Sequence, residues 1–208
     1  LCGPPGRGLG PSLVVGPGTG LGAAVHVPGV AGATVLTTEA GQMDFAPHSL
    51  REREVLAWIA PDGGYVAVET IVSGPGLLTV YKALCALDGE EPVLTTPKAV
   101  TQAASMQVGR HAVEAVEVFC AALGSFIGSL AMTYIPTGGI FLAGGFLSSL
   151  FDLLKTSAFE ERFLHGRSVR ALLAQVPVWV TEHGNHGVQG AARWYLRHRE
   201  AMPQGAAA

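Results

Sequence analysis

Charge is scarce in this sequence. Asp, Glu, Lys and Arg make up 14% of its 208 residues, against about 25% in an ordinary soluble domain. A chain so thinly charged is expected to be a compact globular body with much buried surface. The net charge of −3 and pI near 6.2 supply no broad positive field, so nucleic acid and anionic membranes are not expected partners. Cysteine is sparse too. Cys2, Cys85 and Cys120 are odd in number and irregular in spacing, and two of them fall in apolar helical segments. That argues against a disulfide framework or a zinc site and fits a reducing cytoplasm. No repeat recurs at a fixed period. The opening residues, Cys2-Gly3-Pro4-Pro5-Gly6-Arg7-Gly8, lack the apolar core of a signal peptide. A start at Leu1 rather than Met gives the expectation of a fragment of a longer product.

What is present is apolar, 49% of the chain. At 21.5 kDa it can bury one sizeable core, or less readily two small ones. Val118 to Ile135 carries no charge and has the length of a membrane span. Gly124, Ser125, Gly128, Ser129 and Thr133 dilute its apolarity, and Glu114 and Glu117 continue its helical pattern upstream. A buried central helix is the expectation.

After a Gly/Pro-rich start, Leu13 to Val15, Leu21 to Val27 and Ala33 to Thr38 read as three strands of an antiparallel meander. Ser49 and Glu52 have capping-box spacing before a helix over about 50–59, which Pro61-Asp62-Gly63-Gly64 ends. Val66 to Thr70 reads as a strand. Ser73 or Gly74 caps a helix through Cys85, and Pro97 to Ser105 suits a short one. Ile140 to Ala143 reads as a central strand, Gly144-Gly145 as a tight turn, and Phe146 to Thr156 as a helix. Pro177 to Thr181 is a further strand. Val188 to Glu200 is a last helix, with Arg193, Arg197 and Arg199 near its C-terminal end. A domain over 1–202 with a disordered tail, 203–208, is expected.

The densest signal is Gly16-Pro17-Gly18-Thr19-Gly20-Leu21-Gly22. Its glycines let the backbone approach a phosphate and turn N–H groups inward, and Thr19 adds a hydroxyl. Soon after comes the carboxylate-bearing loop Glu39-Ala40-Gly41-Gln42-Met43-Asp44-Phe45, an order that suggests a nucleotide-dependent sugar kinase. Gly18 to Ala23 also fits G-x-G-x-x-A, with Glu39 about 20 residues on. A dinucleotide turn opens a helix, however, and Ala23 to Gly29 reads as a strand entering a hairpin. A Gly-rich hairpin without a ligand is the plainest alternative.

A sugar site needs carboxylates and amides that pair with adjacent hydroxyls. Glu39, Gln42 and Glu69 supply them and could converge on one cleft, although each alone could be a solvated loop residue. Asp44 is expected to fix its loop by accepting backbone N–H bonds. His183 and His186 lack a third ligand at metal spacing, and Asn185 is expected to cap the last helix. Gly144 and Gly145 could admit an adenosine beside a helix N-terminus, or form a simple turn.

Four motifs, Gly16 to Gly22, Glu39-Ala-Gly-Gln-Met-Asp-Phe-Ala-Pro47, Glu69 with Ser73-Gly-Pro-Gly-Leu77, and Phe141-Leu-Ala-Gly-Gly145, together resemble bacterial glucokinase, the branch without the zinc-binding Cys-rich motif of the ROK kinases. The resemblance spans nearly the whole chain. It implies an α/β, ribonuclease H-like domain of the actin/hexokinase ATPase type, with a mixed sheet that starts in the meander and is flanked by helices. It implies phosphorylation of glucose on its 6-hydroxyl with ATP and Mg²⁺, and a homodimer. Gly16, Gly18, Thr19 and Gly20 would hold phosphate, Gly144 and Gly145 adenosine, and Glu39, Gln42 and Glu69 the sugar; the family usually has His where Gln42 stands. This chain would be the larger C-terminal domain. The first phosphate loop and the Asn-Asp pair that carries the general base are absent from it, so alone it is expected to be nearly inactive. A catalytically dead nucleotide or sugar sensor and a nicotinamide-dependent oxidoreductase stay as alternatives.

Overall fold

The computed structural model describes residues 1–198 apart from 7, 31, 167, 182 and 183, with the backbone alone at 146 and 198. His183, the expected end of the last helix and the expected tail lie outside the described residues.

The meander forms as its period-2 pattern requires. Strand β1 (Ser12–Pro17) pairs antiparallel with β2 (Leu21–Val27), and β2 with β3 (Thr34–Thr38). Chain direction then changes. β1 runs parallel to β4 (Gly139–Leu142), and β4 parallel to β5 (Val178–Val180), giving the order β3-β2-β1-β4-β5. Alternate side chains take opposite faces. Leu13, Val15, Val25, Ile140, Leu142 and Val178 enter the core, while Phe141 and Trp179 stack on the other face with ring centroids 5.0 Å apart.

The long β1-to-β4 connection supplies the helices that cover the sheet: α1 (Leu50–Ile59), α2 (Gly74–Leu87), α3 (Pro97–Ser105) and α4 (Arg110–Tyr134). Their starts are set by side chains. Ser49 accepts from Glu52 N–H at 3.0 Å, Ser73 from Gly76 N–H at 3.0 Å, and Thr96 from Ala99 N–H at 3.2 Å. The return bond of the expected capping box goes one residue further back, from His48 N–H to Glu52 at 2.7 Å.

Between α1 and α2 the sequence reading needs correction. Val66 to Thr70 is not a strand. Ala67 makes a single bridge to Asp44, and Val68–Thr70 then coils into a 3₁₀ turn that leads into α2. A short apolar run specifies burial rather than extension, and Val66 and Val68 are buried here in turn geometry.

Helix α4 is long and apolar enough to cross a membrane by length and composition, yet 78% of its most apolar window is buried within the protein. It is the central core helix. Its small residues have a packing role: a Cβ on Gly124 would lie 2.3 Å from the Phe159 carbonyl oxygen, and one on Gly128 2.8 Å from that of Phe163. Helix α6 (Phe159–Phe163) can therefore press its backbone against α4. This buries Phe159 and Phe163 fully, worth roughly 1.5–3 kcal/mol each.

Helix α5 (Gly145–Thr156) follows β4 directly. Helices α6 and α7 (Arg170–Leu173) occupy a stretch for which no element is expected from local pattern. Helix α8 (His186–His198) starts two residues earlier than expected, with Asn185 directly before it. Cys85 and Cys120 are buried and Cys2 half-buried, all three as free thiols.

Candidate substrate site

Two neighbouring strands, β1 and β4, run parallel and end at the same edge of the sheet, where ligands of open α/β sheets collect. β1 continues into the three-residue loop Gly18-Thr19-Gly20, closed by Gly18 N–H donating to the Gly20 carbonyl at 2.8 Å. The next element is β2, a strand, which removes the helix that dinucleotide binding needs. The loop is held from behind by α2, because Gly74 N–H donates to the Gly18 carbonyl at 2.8 Å. Among the described residues, the N–H groups of Thr19 and Gly20 and the Thr19 hydroxyl have no protein partner. Three unpaired donors thus share one turn, a set that an anionic phosphate could accept from.

β4 ends against the same loop. Ala143 N–H donates to the Val15 carbonyl at 2.8 Å, and a Cβ on Gly16 would lie 3.2 Å from the Ala143 carbonyl oxygen. Gly144 precedes α5 with φ +140°, and a Cβ there would lie 3.0 Å from the Pro17 carbonyl oxygen, so a side chain would be both strained and crowded. Gly144 and Gly145 leave their N–H groups open among the described residues. Thr96, Pro97, Thr101 and, one turn beyond Gly145, Ser149 help line a cavity of about 500 Å³. A Cβ on Gly74 would lie 4.0 Å from Pro97 Cγ, which sets that cavity next to the start of α2 and hence to the phosphate-type loop.

On the other side of the loop lie the polar candidates. Glu39 begins a 3₁₀ turn over Ala40–Gln42, with Gln42 N–H donating to the Glu39 carbonyl at 2.9 Å. The Gln42 side chain donates from Nε2 to Glu69 Oε1 at 2.7 Å. Glu69 Oε2 in turn accepts from Leu21 N–H at 3.2 Å, the residue that follows the Gly18–Gly20 loop. Gln42 and Glu69 are therefore brought together, and Glu69 joins them to the loop. Glu39 shares the turn, but its exposed carboxylate contacts neither side chain.

Two corrections follow. Glu69 comes from the 3₁₀ turn rather than from a strand end. Asp44 does not fix its loop: its exposed carboxylate makes no hydrogen bond among the described residues. The loop is fixed instead by backbone bonds on either side, Phe45 N–H to the Val66 carbonyl and Val68 N–H to that of Met43, both 2.8 Å. Sequence reasoning also passed over Tyr65. Its hydroxyl donates to the Gln42 carbonyl and lies 3.3 Å from Gln42 Oε1; its position just before the Val66 to Thr70 run gave no periodic signal.

The loop's far end is tied to a buried ion pair. Glu52 accepts from Arg162 Nη1 at 2.6 Å and Nη2 at 3.2 Å, besides His48 N–H. Burial pushes the Glu52 carboxyl up, but the Arg162 hydrogen bonds, the His48 N–H and the Arg162 charge outweigh it and hold the group below the usual carboxylate range. Burial, then the Arg162 charge, lowers the His48 pKa.

A mixed sheet ordered β3-β2-β1-β4-β5, with a glycine hairpin closing its antiparallel half and a glycine turn opening a helix after β4, defines a ribonuclease H-like ATPase domain of the actin and hexokinase type. The family model described as glucokinase matches residues 1–198. A glucokinase-like protein of Xylella fastidiosa (strain Temecula1) is 42% identical over 199 residues, 96% of this chain and 60% of that protein. A glucokinase of Marinobacter nauticus is 38% identical over 192 residues, 92% of this chain and 60% of that one. The crystal structure of glucokinase from an Antarctic psychrotroph matches with a TM-score of 0.84 at 30% identity, over 94% of this chain and 61% of the other. The chain belongs to the glucokinase family. It spans about 60% of the length of these curated relatives.

Proposed function

We propose that this chain forms the larger, C-terminal part of an ATP-dependent glucokinase, which transfers the γ-phosphoryl group of ATP to the 6-hydroxyl of glucose. The observation that carries the reading is the Leu21 N–H to Glu69 bond, which joins a loop of unpaired donors to a carboxylate-amide pair suited to sugar hydroxyls. In this reading Thr19 and Gly20 donate to the phosphates, with Gly16 and Gly18 shaping their loop. Gly144 and Gly145 let adenosine approach, its base entering the neighbouring cavity. Glu69 and Gln42 hold adjacent hydroxyls, and Glu39 adds a third contact from the same turn. Such contacts place the 6-hydroxyl for in-line attack, and positioning is the main contribution a protein makes to phosphoryl transfer.

The donors around the loop are N–H and hydroxyl groups, which suit phosphate oxygens rather than a cation. Among the described residues no cluster of three or more metal-ligating side chains occurs. Mg²⁺ would arrive on the nucleotide, where it would offset the charge of the phosphates. The proton acceptor for the 6-hydroxyl is proposed to lie in the part of the whole protein that this chain does not include, so the 208 residues alone should turn over glucose barely, if at all. Family membership supports a cytoplasmic location and a homodimer.

The test is Glu69→Ala in the whole gene product, with glucose affinity measured by calorimetry and turnover by a coupled assay. Glucose binding should be lost with the fold intact. Unchanged affinity would remove the sugar-site reading, and binding of both ligands by the unmodified protein without turnover would favour a sensor.

A further inference from the structure

We propose that Tyr65 is a positioning residue of the sugar site: its hydroxyl, donating to the Gln42 main-chain carbonyl, holds residue 42 where its amide meets the Glu69 carboxylate in the orientation that receives the sugar. This rests on the sugar-site reading above. An ionised carboxylate can only accept hydrogen bonds, so the 2.7 Å contact requires Gln42 to present Nε2 to Glu69. The other end of the amide, Oε1, then lies 3.3 Å from the Tyr65 hydroxyl, whose one proton goes to the Gln42 main-chain carbonyl. Gln42 is exposed, and an exposed terminal amide rotates easily. Without the Tyr65 tether, the main chain at residue 42 loses its side-chain anchor and the amide is held over Glu69 by its own hydrogen bond alone. The result is a continuous series of bonds: Tyr65 to Gln42, Gln42 to Glu69, and Leu21 N–H, at the end of the phosphate-type loop, to the second oxygen of Glu69. Gln42 keeps one N–H, and Glu69 keeps spare lone pairs, for a pair of sugar hydroxyls.

Among the described residues, Tyr65 makes no hydrogen bond beyond those to Gln42. Its residue is 61% exposed, so the ring adds little to the core. Removing the hydroxyl alone should leave the fold unaltered.

The experiment measures steady-state kinetics of the whole gene product carrying Tyr65→Phe, Gln42→Ala, both changes, or Glu69→Ala. Loss of one uncharged hydrogen bond predicts roughly a fivefold rise in glucose KM for Tyr65→Phe, with kcat within about twofold and the KM for ATP unchanged. In the Gln42→Ala background, Tyr65→Phe should add nothing, because no amide is left to hold over Glu69. An unchanged glucose KM, a parallel rise in both KM values, or the same rise in the Gln42→Ala background would overturn the proposal. If Glu69→Ala abolishes glucose saturation while Tyr65→Phe is silent, the role of Tyr65 alone falls. If Glu69→Ala is itself silent, the sugar-site reading falls and takes this proposal with it.

Discussion

Replacing Glu52 by Ala probes how the loop between Gln42 and α1 is anchored to the core. Glu52 is 2% exposed, and both its oxygens face Arg162, whose side chain is 12% exposed. Truncation would leave the guanidinium with the Ser125 hydroxyl, 2.8 Å from Nε, as its remaining side-chain partner, and would leave His48 N–H unpaired. Removing one member of a buried pair costs about 3–5 kcal/mol. With an assumed urea slope of about 2–3 kcal/mol/M, the unfolding midpoint should fall by roughly 1–2 M. Replacing both partners by apolar residues, Glu52→Leu with Arg162→Met, should recover much of that loss, because no uncompensated charge stays buried. The assay is urea unfolding followed by circular dichroism. A loss below about 1 kcal/mol for Glu52→Ala, or a double variant no more stable than the single one, would refute the reasoning. The pH dependence gives an independent check. The folded-state pKa of Glu52 is depressed, so its contribution is fully present above the unfolded value of about 4.3 and is lost as pH falls through the folded value. Glu52→Ala should therefore lose stability less steeply than the parent below about pH 4, and equal slopes would count against the assignment.

Two further outcomes are expected. Gly144→Ala combines φ +140° with a 3.0 Å approach to the Pro17 carbonyl oxygen. It should cost about 1–3 kcal/mol and raise the KM for ATP more than that for glucose; unaltered stability and kinetics would show that the turn tolerates a side chain. Burial pushes the Cys120 thiol up to about 12. Iodoacetamide at pH 8 should leave it unmodified in the folded protein and label it only after unfolding, whereas peptide mapping that finds native Cys120 labelled as fast as in denaturant would contradict its burial.

Much of the fold was legible in the sequence because its signals are local. The meander, the helix starts at Ser49 and Ser73, the short helix from Pro97 and the uncharged central helix each depend on periodicity, a cap or a proline within a few residues. Errors arose where a segment's state is set by distant partners. Ala67 gains a bridge only because Asp44 lies alongside, and the rest of its apolar run coils into α2. Helix α6 is five residues long and depends on Gly124 and Gly128 of α4 for a place to pack, so no pattern within 159–163 announces it. The site shows the same division. Glu69 and Gln42 were chosen for their chemistry and do meet. Glu39 stands apart from both, Asp44 leaves the anchoring of its loop to the backbone, and Tyr65 went unnoticed.

By itself the sequence determined most of the element types, the family resemblance and the kinds of group available: glycines that permit close approach, a hydroxyl of the kind that suits phosphate, an amide and carboxylates of the kind that suit a sugar. These are properties of single residues and short spacings. Tertiary structure alone decided which groups act together. Leu21 and Glu69 are 48 residues apart in the chain and meet through one N–H, while Glu52 and Arg162, 110 apart, share a buried ion pair. Such pairings follow from how α6 packs on α4 and how the turn before α2 meets the meander, and that packing is a property of the whole core that no local stretch encodes.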